Sequence, residues 1–141
     1  GVYLGGVGSA NKLDDYEIGY FTTSYAPSGS GTITVNPSYD QLRYVKVGSF
    51  VHVQGIARIS SVSSPTGIVY LTLPFIAENL NEEADYSGST VWWYESGTGW
   101  NATAIRGRTL SNLQLFQINI DASTISANDE FLFGIQYTTS A

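Results

Sequence analysis

Cysteine is absent from this chain of 141 residues, which removes disulfides, thiolate nucleophiles and thiolate zinc sites and leaves the redox compartment open. The fold must stand on packing and hydrogen bonding. Histidine occurs once, at His52, so a multi-histidine metal centre is excluded as well. Charge is scarce: 13% of the residues are charged, about half the share of an average globular domain. With six Lys and Arg in all and a net charge of −6, the chain is a poor partner for nucleic acid, whose affinity comes from basic residues displacing counterions. Apolar runs stay short of the roughly 18 residues that a helical membrane span requires, so no membrane insertion is expected. The first residues have neither the basic nor the apolar region of a secretory signal.

What is present is aromatic, glycine-rich and patterned with period two. Aromatic residues make up 13% of the chain, and low charge beside them predicts large uncharged surfaces, which a subunit interface is one way to hide. The length suits one domain with a real core. From Ile33 onward, apolar residues alternate in short runs separated by Gly, Ser, Asn, Asp and Pro, which predicts strands near 31–35, 42–47, 50–60, 67–73, 89–95, 102–106, 113–120 and 130–138. Val51, Val53, Ala57 and Ile59 fall on one face, His52, Gln54, Ile56 and Arg58 on the other. Phe131, Phe133, Ile135 and Tyr137 likewise share a face. In 113–120 both faces carry apolar residues, Leu113 and Leu115 against Phe116, Ile118 and Ile120, which suits a strand covered on both sides. No long helix is predicted, only a turn or two within 76–85, and 24–37 reads as a loop running into the first strand. Eight short strands with polar turns predict an all-β, antiparallel β-sandwich, jelly-roll-like, over 23–141. Residues 1–22 form an extended, glycine-rich lead-in. Gly1, Gly5, Gly6 and Gly8 give it little order of its own, so it is expected to be held between neighbouring chains or joined to something upstream. Gly1 in place of Met points to a piece of a longer protein, and a C-terminal piece fits best.

Within the lead-in, Leu4, Gly5, Gly6, Gly8, Ala10, Asn11, Leu13, Asp14, Asp15, Tyr16, Glu17 and Gly19 follow a spacing that resembles the opening of the C-terminal domain of many bacteriophage tail fibre and tailspike proteins. Ile18 stands where those proteins usually carry a second acid. The run from Leu42 to Val53, with Tyr44, Lys46 and Gly48, is similar to a hairpin of the same domains. Its turn, Gly48-Ser49, suits type II′ geometry. The Leu-x-Leu-Pro-Phe run ending at Phe75 and the aromatic alternation of 131–139 are compatible with the same family, while 76–110 matches loosely. The resemblance implies a homotrimer in the virion, acting outside the host cell and binding a bacterial surface polysaccharide or receptor protein.

Candidate chemistry is thin. Two acidic groups, Asp14, Asp15 and Glu17, then Glu78, Glu82, Glu83 and Asp85, could in principle supply the facing carboxylates of a glycosidase or the oxygens of a calcium site. Both lie in turns where a solvated acidic patch is the ordinary outcome, and Asp14 and Asp15 are better read as capping a turn or ordering the lead-in by accepting backbone N–H bonds. His52 sits mid-strand on the non-core face without a nucleophile elbow nearby. No enzyme, metal or cofactor is therefore expected.

All three tryptophans fall within ten residues, Trp92, Trp93 and Trp100, around a Ser-Gly-Thr-Gly turn. Adjacent Trp92 and Trp93 on a strand face opposite ways, so at most one enters the core. Two readings stand side by side: packing against a neighbouring subunit, or contact with the C–H faces of a sugar. In the second, Trp92, Trp93, Tyr94, Trp100, Arg106, Arg108 and Tyr86 form the ligand surface, the arginines giving hydrogen bonds to sugar hydroxyls or carboxylates. The expected function is non-catalytic attachment to a host-cell surface, with structural trimerisation or virion decoration as the alternative.

Overall fold

The structure is a computed structural model and describes residues 2–3, 12–13, 15–78, 80–83, 87–107 and 115–140. Its strands in chain order are β1 (Val2–Tyr3), β2 (Lys12–Leu13), β3 (Tyr16–Thr22), β4 (Tyr25–Pro27), β5 (Thr32–Val35) and β6 (Gln41–Val47). They are followed by β7 (Phe50–Ser63), β8 (Ile68–Thr72), β9 (Ser87–Glu95), β10 (Gly99–Gly107), β11 (Leu115–Asp121) and β12 (Glu130–Thr138). Short 3-10 turns at Asn81–Glu83 and Ala122–Thr124 are the helical elements among the described residues. The fold is all-β, and each of the eight runs of alternating residues becomes a strand.

Hydrogen bonding draws one continuous antiparallel ladder, β3-β6-β7-β12-β9-β10-β11-β8-β4, with β5 paired to the far end of β7. Where the strand count pointed to a sandwich, the described ladder is a single curled sheet, a half-barrel. Period two explains why it curls over one core: the inner face of nearly every strand is apolar, and burying it requires the two limbs to approach each other. Phe131, Phe133, Ile135 and Tyr137 of β12 all face inward, and Leu132, Gly134 and Gln136 face out. Opposite them come Val69 and Leu71 of β8, Phe116 and Ile118 of β11, and Tyr25 of β4. The Tyr25 ring lies 5.3 Å from Phe131 and 6.3 Å from Phe133, and Phe116 meets Tyr137 edge-on at 5.4 Å. The edge strand β4 thus packs on the middle of the same ladder.

Two segments differ from the sequence expectation. Residues 25–27, read as loop, form β4, because Tyr25 is buried and its strand pairs with β8. Tertiary packing overrides the turn-forming Ser, Pro and Gly around it. Tyr16–Thr22, placed in the lead-in, is the edge strand β3 and pairs along its length with β6. Of the rest of the lead-in, Val2 and Tyr3 pair with Leu13 and Lys12. Residues 1, 4–11 and 14 lie outside the described residues, as does Leu113 of the run expected to be covered on both faces.

The Gly48-Ser49 turn links β6 and β7 with φ of 57° at Gly48 and no positive φ at Ser49, as a type II′ turn requires. At Gly19 a Cβ would meet the Tyr44 ring at 2.7–2.8 Å, so the ring lies directly on the β3 backbone. Asp15 docks the start of β3 differently from the sequence expectation. Its carbonyl accepts from the Gly48 N–H at 2.8 Å, but its carboxylate, rather than taking a backbone N–H, meets the buried Lys46 ammonium at 2.5 Å. That ammonium also sits 5.8 Å from the Phe75 ring centroid, so a cation on the inner face is matched by one charge and one π face.

Two stability outcomes follow from these contacts. Gly55 has φ of 149°, and a Cβ there would lie 2.7 Å from Leu42 Cδ2; Gly55→Ala should cost about 1–3 kcal/mol in a urea melt through strain and overpacking. The Tyr25 hydroxyl is buried and has no hydrogen-bond partner among the described residues, and burial holds its pKa well above the ordinary value. Burial also raises Tyr137, whose hydroxyl donates to the Phe75 carbonyl at 3.0 Å. An acid whose folded pKa is raised contributes stability that is fully present below the unfolded pKa, about 10, and is lost as pH climbs above it. Urea melts between about pH 8 and pH 11 should therefore show falling stability, and Tyr25→Phe should raise stability at pH 8 by about 1 kcal/mol and flatten the alkaline loss.

Candidate functional site

The curled sheet has an outer face, and strand register places its side chains in rows. On β9 and β10, Trp100 stands opposite Tyr94 and Ala102 opposite Trp92. Across β12 the rows continue, Tyr94 to Glu130 and Trp92 to Leu132, and then to Arg58 and Ile56 of β7. Trp92 and Trp100 are each 50% exposed, and Trp100 leans on Tyr94 with ring centroids 5.3 Å apart. Leu132 is exposed beside Trp92. The result is an aromatic and apolar ridge over three strands, bordered by Arg58, which pairs with Glu130 and covers the Tyr39 ring at 4.1 Å.

Trp93 takes the other direction, as adjacent strand residues must. It stacks on Phe131 at 6.2 Å with the rings 3° from parallel, and its Nε1–H donates to Asp129 Oδ2 at 3.2 Å. Asp129 is fully buried and also accepts the backbone N–H of Ser96 at 2.8 Å and of Ser126 at 3.0 Å. This carboxylate ties the β9–β10 turn to the turn before β12, holding the ridge in place from beneath. Sequence reading passed over it, because one acid before a strand carries no pattern; Asn128 beside it, at φ of 70°, marks the tight turn that aims it inward.

The expected ligand set therefore separates. Trp92, Tyr94 and Trp100 share the outer face, while Trp93 belongs to the inner side. Arg106 is on the outer face of β10 but six residues from Trp100, about 20 Å along the strand. There its Nε–H donates to Gln117 Oε1 at 2.9 Å. Tyr86 and Arg108 lie outside the described residues.

The remaining candidates for chemistry fall in other places. His52 is half-buried on the outer face, with Nε2 3.0 Å from Gln54 Oε1 and Nδ1 3.1 Å from Gln136 Nε2, so two amides engage both ring nitrogens. Glu82 sits in the 3-10 turn at φ of 55°, and Asp85 is outside the described residues. Among the described residues no group of three or more His, Asp or Glu side chains is placed to hold a metal ion.

No protein-family model matches the chain, and no curated protein matches it. Among solved structures, the crystal structure of Dettilon tailspike protein (gp208) is similar, with a TM-score of 0.56 at 19% sequence identity. The similarity covers 87% of this chain and 23% of that one, so this chain spans under a quarter of the tailspike's length. At that identity the likeness concerns the fold.

Asp129 and Trp100 should respond in opposite ways to truncation. Asp129→Ala removes the shared acceptor of three N–H donors and should lower stability by about 2–4 kcal/mol, with Trp93 fluorescence shifting to the red. Trp100→Ala removes a ring on the exposed side and should change the melt by less than about 1 kcal/mol.

Proposed function

We propose that this domain attaches a phage tail fibre or tailspike to the host-cell surface by holding glycan on the Trp92–Tyr94–Trp100 ridge, without altering it chemically. The observation that carries this reading is the exposure of Trp92 and Trp100 on one face beside Tyr94, held up by a fully buried carboxylate. Rigid aromatic faces suit the apolar faces of sugar rings, and indole N–H groups can donate to their hydroxyls. The fold likeness to a phage tailspike supports a setting in the phage tail; on this reading the domain is the terminal part of a homotrimer in the virion and works outside the host cell. A trimer would present three copies of a weak site, and multivalency would supply the avidity.

A purely structural role, trimerising or decorating the virion, is the second reading, and a separate observation favours it. Tyr16, Ile18 and Tyr20 are all exposed on one face of the edge strand β3. The Asp15–Gly48 bond sets the ladder phase, so the backbone groups of these same residues point away from β6. An uncharged strip with open backbone groups is a surface that assembly would cover.

Single Trp92→Ala and Trp100→Ala variants separate the two. The attachment reading expects each to lose adsorption to host cells, by tenfold or more for Trp92, while the mass in solution is unchanged. Loss of the oligomer with each change, or adsorption equal to that of the parent, would count for the structural role.

A further inference from the structure

On the outer face beyond the ridge, a depression of about 280 Å³ opens between β10 and β11, lined by Ala104, Arg106, Gln117 and Asn119. A second, of about 330 Å³, adjoins it through Asn119 and runs past Ile68 and Ile120 to Asp121. Arg106 is exposed and lines the depression, its Nε–H donates to Gln117 Oε1, and its terminal nitrogens have no hydrogen-bond partner among the described residues. Two side-chain amides, one oriented guanidinium and a small apolar floor match a polyhydroxylated ligand carrying a planar anion.

Charge on this face supplies an independent observation. The protein carries −6 overall, yet on the outer face of β6, β7, β12, β9, β10 and β11 the charged side chains away from Asp121 are Arg43, Arg58, Arg106 and Glu130. Glu130 is already paired with Arg58. Arg43 and Arg106 have no acidic partner among the described ion pairs. Asp121 closes the far end of the second depression, but Ser123 binds its carboxylate through N–H and O–H at 2.9 and 2.8 Å, and those bonds hold its pKa below the ordinary value. An anion is therefore drawn to the Arg106 end and repelled from the Asp121 end, which gives a bound chain a direction.

We infer that the Arg106 depression binds the carboxylate of an acidic sugar, so that the glycan held on the ridge is an anionic polysaccharide. This rests on the glycan reading above and adds a second contact, about 13–20 Å from the ridge and so within one oligosaccharide's reach. The guanidinium takes the carboxylate through its terminal N–H groups, while Gln117 and Asn119 bond neighbouring hydroxyls.

The test measures binding of the intact protein to oligogalacturonate, alginate oligosaccharide and oligosialic acid, each beside its carboxyl-reduced counterpart, on an array that also carries neutral bacterial polysaccharides. The inference expects binding to carboxylated chains, weaker by about tenfold or more after reduction, in Arg106→Gln, or in Gln117→Glu, which puts a competing carboxylate against Arg106. Both positions are at least partly exposed, and a thermal melt equal to the parent's verifies folding. Binding confined to neutral glycans, or binding of carboxylated ones that is indifferent to both variants, overturns the inference and leaves the ridge reading standing. Binding to no glycan at all overturns both.

Discussion

The contact of Tyr25 with Phe131 and Phe133 is the constraint on which the rest of this structure depends. It joins the last strand of the ladder, β4, to its middle, β12, and so turns an open sheet into a curled one. Trp93 extends the same aromatic packing to β9, where Asp129 secures its indole. Without that closure, the inner faces of β8, β11 and β12 would have nothing to bury against, and a domain without cysteine has no disulfide to hold it instead. The aromatic content, conspicuous beside so little charge, is thus split between two jobs: closing the sheet and decorating its outside.

Curling decides what the outer face can do. Because inner and outer side chains alternate, commitment of Phe131, Phe133 and Trp93 to the core forces Leu132, Trp92 and Tyr94 outward. The same alternation places Arg43, Arg58 and Arg106 together on the outside, while the cation facing inward, Lys46, is neutralised by Asp15. Among the described residues, a negatively charged protein thereby acquires one sheet face poor in acids. The functional proposals rest on that segregation, which follows from register and not from any local motif.

Much of this was legible in advance, for identifiable reasons. The run 130–138 became a strand with the expected faces, because strict alternation of Phe131, Phe133, Ile135 and Tyr137 has no other packed solution. The turn at Gly48-Ser49 was legible because only glycine takes that φ freely. Tyr25 was not: a strand of three residues between Ser24 and Ser28 has no periodicity to read, and only its partner β8 and the rings of β12 make it one. Asp129 was equally silent, since a buried carboxylate is justified by donors that include Trp93 and Ser96, more than thirty residues away in the chain. The opposed directions of Trp92 and Trp93 could be stated beforehand, but which of them faced inward could not.

The sequence by itself determined the all-β class, the positions of the eight periodic strands, the pairing of faces within each of them and the exclusion of thiolate and multi-histidine chemistry, because these depend on residue identity and on the two-residue period of an extended chain. Tertiary structure alone decided that the strands form one curled ladder, that Trp93 is core and Trp92 surface, and that Arg106 stands apart from the tryptophans beside Gln117. Those outcomes are set by register between strands distant in the chain, and a local pattern carries no information about which distant strand will be its neighbour.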